Sequence, residues 1–142
     1  MEPHSEELIL AVTHVLSSTQ ICANIGDARM FELLSNYYAL VGSEVSSSGG
    51  RVIKVMGDTT LLTFPTREPR ETVEALRALQ VKANALWQQV EANSRVQIKV
   101  GVGQVVVGSL DQRVDIVGTA LNRLFKAPWS DFEIMPELAR LI

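Results

Sequence analysis

Residues 49–64 read GGRVIKVMGDTTLLTF, and this stretch decides the fold. Two apolar, partly β-branched runs, Arg51–Met56 and Thr59–Phe64, are separated only by Gly57 and Asp58. A two-residue connection with glycine at its first position is typical of a tight β-hairpin. The stretch therefore predicts two antiparallel strands that turn at residues 57 and 58.

Apolar patterns on both sides of the hairpin predict an alternation of strands and helices. In chain order we expect a strand at Leu8–Val15, a helix over the pattern from Met30 to Val45, the hairpin, a helix from Arg70 to Ala92, a β pair at Gln97–Val102 and Gln104–Val107 around Gly103, a strand at Val114–Val117, a helix from Thr119 to about Lys126, and a last strand and helix at Phe132–Met135 and Pro136–Ile142. The first six elements follow the order β, α, β, β, α, β, which is that of a ferredoxin-like fold. The sequence thus predicts an α+β fold: an antiparallel sheet with helices on one face, and additional C-terminal strands and helices.

Size and composition favour one globular unit. The chain has 142 residues, 46% of them hydrophobic, which is enough for a core, so we treat 1–142 as a single domain with a polar leader, Met1 to Glu7. A net charge of −3 and the lack of a Lys/Arg run argue against binding to nucleic acid or to a membrane surface. The apolar stretch Leu8 to Val12 is too short to cross a bilayer, so the expected location is cytoplasmic.

Cys22 is the single cysteine, and we expect a small buried side chain without a catalytic role.

Three segments carry a resemblance to a known family. The hairpin at 49–58, the segment RVDIVGTALN at 113–122 and the glycine-containing pattern at 100–108 are similar to signature elements of class III adenylyl and guanylyl cyclases. The resemblance implies attack of a ribose 3′-hydroxyl on the α-phosphate of a nucleoside triphosphate, with two divalent ions held between two aspartates. It also implies a dimer in which the metal aspartates come from one subunit and the ribose- and phosphate-binding residues from the other.

The metal position is where this sequence departs from the family pattern. Asp58 matches one of the two aspartates, whereas the position of the other, on the first strand, is His14. A carboxylate offers two anionic oxygens to hard cations, but imidazole offers one neutral lone pair, so Mg²⁺ is expected to bind poorly. Mn²⁺ tolerates nitrogen and is the exception. The alternative role for His14 is that of a half-buried histidine satisfied by the backbone.

The resemblance assigns four further residues. Lys54 and Asp115 match the pair that selects adenine, in which an ammonium donates to a ring nitrogen and a carboxylate accepts from the exocyclic amine. Asn122 matches the asparagine that orients the ribose, and Lys126 stands in place of an arginine that stabilises the phosphate in the transition state. The alternatives are an ion pair across two strands for Lys54 and Asp115, and an exposed helix face for the other two.

These residues lead to three hypotheses of different classes. The first is a pseudo-cyclase: a dimerising regulatory module in cyclic-nucleotide-type signalling, with impaired or absent turnover, that binds ATP and either no metal or a weakly held divalent ion, Mg²⁺ or Mn²⁺. The second is an active adenylyl cyclase with an unusual metal site or in a heterodimer with another cyclase domain. The third is a small-ligand-binding ferredoxin-like regulator.

The turn around Gly103 and the stretch Ser109 to Gln112 are shorter than the family's elements there, so we also expect a changed dimer contact.

Overall fold

The structure is a computed structural model that describes residues 2–142. Its elements are β1 (His4–Val15), α1 (Ser18–Ile25), α2 (Asp27–Ser47), β2 (Arg51–Met56), β3 (Thr59–Phe64), α3 (Pro69–Gln88), β4 (Val96–Leu110), β5 (Arg113–Val117), α4 (Thr119–Lys126), β6 (Phe132–Ile134) and α5 (Pro136–Ala139). The predicted hairpin is confirmed with the bounds that the sequence gives, as is helix α4.

The strands form one six-stranded sheet in the order β2-β3-β1-β4-β5, and β6 pairs with β4. The order β4-β1-β3-β2 is that of the expected ferredoxin-like core. All pairings along the main path are antiparallel, as expected, and the additional C-terminal strand β6 runs parallel to β4.

Two apolar clusters lie on opposite faces of the sheet because side chains alternate along β1. Ile9, Ala11 and Val15 belong to the larger cluster, which α1, α2, α3 and α5 cover. Leu8, Leu10 and Val12 belong to a smaller cluster that includes Leu121 and Leu124 of α4. The expectation that helices cover one face holds for the core, but α4 packs on the other face.

The first strand begins earlier than the sequence predicts. His4–Glu7, expected in the polar leader, pair with Gln104–Val107 of β4, because backbone hydrogen bonding does not require apolar side chains. Met1, the first residue of that leader, lies outside the described residues.

Helix α1 was not predicted from the sequence. It follows Ser17, which has a left-handed φ of 65°, and Gly26 with φ 90° separates it from α2. Cys22 lies on this helix, and the hydrogen bond from its thiol to Asp27 raises the pKa of Cys22, which keeps the thiol protonated. The cysteine is half-buried rather than fully buried.

Gly103 does not mark a turn, as the sequence suggested, because β4 runs through it without interruption. A Cβ at this position would lie 2.4 Å from the Cβ of Ala120, so the glycine allows α4 to approach the strand. The turn between β4 and β5 is instead made by Asp111 and Gln112, both with positive φ, 51° and 65°. The expectation of a turn at Gly103 is therefore wrong.

Replacing Gly103 with alanine is expected to destabilise the protein by about 1–3 kcal/mol, because the new methyl group overlaps Ala120. Gly42 of α2 is the matched control, since a Cβ there meets nothing within 4 Å. Gly42→Ala is expected to stabilise by about 0.5–1 kcal/mol through helix propensity. Urea denaturation of both variants measures the two changes, and equal stabilities would contradict this account of Gly103.

None of the helices within residues 2–142 is both long and apolar enough to cross a membrane.

Candidate functional site

The end of β1 meets the turn of the β2–β3 hairpin, and this junction brings His14 and Asp58 together. His14 is paired in register with Thr59, the residue after Asp58. The backbone N–H of Val15 donates to the carbonyl oxygen of Asp58 at 3.0 Å, and Gly57 adopts the positive φ of 63° that the turn requires. As a result His14 Nε2 lies 3.3 Å from Asp58 Oδ2, with both side chains about one-third exposed.

Two hydroxyl groups also bind the Asp58 carboxylate. Ser18 Oγ donates to Oδ2 at 2.6 Å and Thr59 Oγ1 donates to Oδ1 at 3.2 Å. Ser18 is the first residue of α1, the helix that the sequence did not reveal, so its contribution to the site was also missed. Both carboxylate oxygens of Asp58 therefore have hydrogen-bond donors from this chain.

Tyr38 closes the junction from α2. Its hydroxyl donates to the carbonyl oxygen of Gly57 in the hairpin turn. Burial, and to a lesser degree the negative charge of Asp58, raise the pKa of Tyr38, so the phenol stays protonated and remains a donor. Tyr37, on the core side, is buried and donates or accepts a hydrogen bond with Thr13 at 2.9 Å.

The second ring nitrogen of His14 has a different environment. His14 Nδ1 is buried and has no hydrogen-bond partner within residues 2–142, so the expected backbone contact is not made. The imidazole instead packs against the indole of Trp129, with ring centroids 5.3 Å apart and an angle of 36° between the planes. No sequence pattern singled out Trp129, because it lies in an irregular segment after α4.

These groups do not fit a pair of magnesium ions. Across the described part of the chain there is no cluster of three or more His, Cys, Asp or Glu side chains that could hold a metal ion. The junction offers one carboxylate, one imidazole and hydroxyl groups, whereas two Mg²⁺ ions require bridging carboxylate oxygens. At the position where the family resemblance predicts the second carboxylate, this chain has His14.

Lys54 and Asp115 are brought together from β2 and β5, two strands that are far apart in the order of the sheet. Lys54 Nζ donates to Asp115 Oδ2 at 3.0 Å, and the two side chains are 40% and 20% exposed. The other oxygen, Asp115 Oδ1, accepts from the backbone N–H of Ile116 at 2.8 Å, which fixes the carboxylate. Ile53 and Ile116, the neighbours of this pair, belong to the smaller apolar cluster.

Asn122 and Lys126 lie on α4, four residues apart on one face, and both are exposed. Gly118 precedes the helix, and a Cβ there would lie 3.1 Å from the carbonyl oxygen of Gln104, so the helix begins close against β4. Arg123 and Lys126 place positive charge in its last turn, where the helix dipole favours it.

Lys99 of β4 is a buried cation beneath the end of α4. Its side chain is fully buried, and Nζ donates to the carbonyl oxygens of Phe125 and Ala127 at 2.9 Å each. Burial lowers the pKa of Lys99. A lysine inside the apolar run 96–102 was a signal in the sequence that could have indicated this contact.

The fold that positions these residues is that of the class III adenylyl and guanylyl cyclase catalytic domain. The chain resembles the adenylyl cyclase CyaB from P. aeruginosa with a TM-score of 0.85 at 18% identity, covering 100% of this chain and 83% of that chain. It resembles the catalytic core of a rhodopsin-guanylyl cyclase with converted specificity, in complex with ATPαS, with a TM-score of 0.82 at 16% identity, covering 99% and 84% of the two chains. The predicted family resemblance is thereby confirmed at the level of the fold.

Relatives in sequence come from mycobacteria. The chain is 31% identical over 119 residues to "Uncharacterized protein Rv1319c" of Mycobacterium tuberculosis, a match that covers 77% of this chain and 21% of that protein. It is 32% identical over 125 residues to "Uncharacterized protein Rv1318c" of the same organism, covering 82% and 23%. The chain thus spans about a fifth of the length of the curated relatives it matches. No protein-family model matches the chain.

Proposed function

We propose that this chain is a pseudo-cyclase: a cyclase-like module with impaired or absent turnover that pairs with a second cyclase-like domain, regulates a larger protein and binds an adenine nucleotide. The observation that carries the proposal is His14 Nε2 at 3.3 Å from Asp58 Oδ2, at the position where the resemblance requires a second metal-binding carboxylate.

The charge at this junction is too low for the metal chemistry of the family. Asp58 contributes one negative charge, and His14, Ser18 and Thr59 surround it with neutral or donating groups. A pair of divalent ions on a triphosphate needs anionic oxygens that bridge both ions. The loss of one such ligand is expected to lower the rate by about 100-fold or more, or about 2.7 kcal/mol in the activation free energy.

Lys54 and Asp115 support binding of adenine rather than guanine. The ammonium is a donor and the carboxylate an acceptor, and the two groups, on β2 and β5, already lie 3.0 Å apart. Adenine has a ring nitrogen that accepts and an exocyclic amine that donates, so it complements this pair, whereas guanine presents the opposite groups. One structural relative, the rhodopsin-guanylyl cyclase core, was solved in complex with ATPαS.

Exposed apolar side chains support pairing with a second domain. Val55 and Met56 at the tip of β2 are 44% and 42% exposed, and Val117 at the end of β5 is 54% exposed. Such residues are commonly covered in an interface. A structural relative, the guanylyl cyclase domain of a rhodopsin fusion protein from Blastocladiella emersonii, is described as dimeric in one crystal structure and as monomeric in another.

A second candidate function, that of the nucleotide-binding half of a heterodimeric cyclase, is supported by Lys54 and Asp115. Lys54, Asp115 and the exposed Asn122 are what a nucleotide-binding half would contribute to a heterodimer, with the metal-binding carboxylates supplied by another cyclase domain. In that case the chain alone is inactive and the mixed dimer forms cyclic AMP.

The purified chain is expected to form no cyclic nucleotide from ATP or GTP with Mg²⁺, and at most a trace with Mn²⁺.

Calorimetry is expected to show binding of ATP in preference to GTP, and Lys54→Ala is expected to abolish the preference. Sedimentation of the same samples over a range of concentrations is expected to show self-association. Robust turnover with Mg²⁺ would refute the pseudo-cyclase proposal, and a lack of binding of either nucleotide would refute its nucleotide-binding part.

A further inference from the structure

Three side chains that are distant in the sequence meet beneath α4: the indole of Trp129 contacts both the imidazole of His14 and the ammonium group of Lys99. We propose that this set of contacts, called here the Trp129 column, fixes the last turn of α4, so that its members are positioning residues for Lys126. The inference rests on the proposed function in one respect, the role of α4 in nucleotide binding.

The first contact of the column is between two aromatic rings. Trp129 follows α4 and is 38% exposed, and its indole lies against the imidazole of His14 with a centroid distance of 5.3 Å and a tilt of 36°. Offset and tilted aromatic contacts at this distance are favourable. An aspartate at position 14 has no ring to stack on the indole. His14 therefore replaces a metal-binding carboxylate and also supplies the ring that packs against Trp129.

The second contact is between the indole and a buried cation. Lys99 Nζ lies 4.2 Å from the centroid of the Trp129 ring, within the range of a cation–π interaction. The same nitrogen donates to the carbonyl oxygens of Phe125 and Ala127. Carbonyl groups at the end of a helix lack intrahelical partners, and a cation is favourable there.

The two carbonyl groups that Lys99 binds flank Lys126, because they belong to the residues immediately before and after it. Holding both carbonyl groups fixes the backbone from which the Lys126 side chain extends. His14 in turn contacts Asp58 in the hairpin turn. Within one chain the column thus links the altered metal position to the helix that carries Asn122 and Lys126.

The column is tested by ¹⁹F NMR of protein labelled with 5-fluorotryptophan. The protein has two tryptophans, Trp87 and Trp129. Trp129→Phe assigns the two resonances. The Trp129 resonance is expected to shift in His14→Ala and in Lys99→Met. The Trp87 resonance is expected to stay in place, because Trp87 is buried against Tyr37 on the other face of the sheet.

Hydrogen exchange tests the positioning of α4. Lys99→Met keeps most of the side-chain length and removes the donors, so exchange of the amides of residues 123–127 is expected to accelerate about tenfold. Lys99→Arg, which can donate to both carbonyl groups, is expected to restore the protection. Lys82→Met is the matched control, since Lys82 pairs with Glu44 between α2 and α3 and is expected to leave these amides unchanged.

The outcomes separate this inference from the proposed function. If the Trp129 resonance and the protection of residues 123–127 are unchanged in Lys99→Met, the column does not position α4 and the inference is wrong. If Lys99→Met does not fold, His14→Ala decides in its place, because His14 is one-third exposed at the end of a strand. A wild-type chain that binds no nucleotide would refute the nucleotide-binding part of the proposed function, but the NMR and exchange results would still decide about the column.

Discussion

His14→Asp combined with Lys126→Arg is expected to raise the rate of cyclic AMP formation by about 100-fold or more over the wild-type chain in the presence of Mg²⁺. The first change supplies the second carboxylate at position 14, facing Asp58, and the second supplies a planar group that can bind two phosphate oxygens. A cyclase assay on the single and double variants measures the effect.

The metal dependence of stability gives an independent measure of the restored site. In chelator, His14→Asp is expected to destabilise the chain by about 1–3 kcal/mol, because two carboxylates then face each other without a cation and the contact with Trp129 is lost. Binding of metal to the folded state alone is expected to reverse this, by about 2.7 kcal/mol at a concentration 100 times the dissociation constant. The wild-type chain is expected to show no such response.

His14→Asn is the matched control, since it removes the imidazole without adding a charge. It is expected to lose the packing against Trp129 and to gain neither metal-dependent stability nor turnover. If His14→Asp melts at the same temperature in chelator and in Mg²⁺, the junction does not become a metal site when the carboxylate is restored. The view of this chain as a decayed cyclase would then be wrong.

The sequence predicted those parts of the fold that short-range chemistry determines. The hairpin at 51–64 was predicted with its observed bounds because its turn has only two residues, one of them glycine. Helix α1 was missed because it has eight residues and only one fully buried side chain, Ile21, which is too little for a periodic pattern. Gly103 was misinterpreted as a turn because the reason for it, the approach of Ala120, is a tertiary contact.

The candidate site, like the fold, was predicted only in part from the sequence. The motifs predicted which residues occupy the metal and base positions, and the structure places His14 beside Asp58 and Lys54 beside Asp115. Whether these residues carry the assigned roles stays a prediction. Trp129 was not predicted, since a local pattern cannot show that an irregular segment returns to pack on the end of β1.

Exchanging the polarity of the base-binding pair is expected to reverse the nucleotide preference. In Lys54→Glu combined with Asp115→Asn, the carboxylate at position 54 accepts from the N–H groups of guanine and the amide at position 115 donates to its carbonyl oxygen. The backbones of β2 and β5 keep positions 54 and 115 in place, and Asn is isosteric with Asp. Hydrogen bonds to charged groups contribute about 1.5–3 kcal/mol each, so the ratio of ATP to GTP affinity is expected to change by about 10-fold to 100-fold or more.

Asp115→Asn alone separates a true exchange from simple damage to the site. It removes the acceptor for the adenine amine and leaves the Lys54 ammonium, which repels the donors of guanine, so we expect weaker ATP binding without a gain for GTP. Calorimetry with both nucleotides on the wild type, the single variant and the double variant measures the three ratios. A double variant that still prefers ATP would mean that Lys54 and Asp115 form only an ion pair between strands, and that any nucleotide binds elsewhere on the chain.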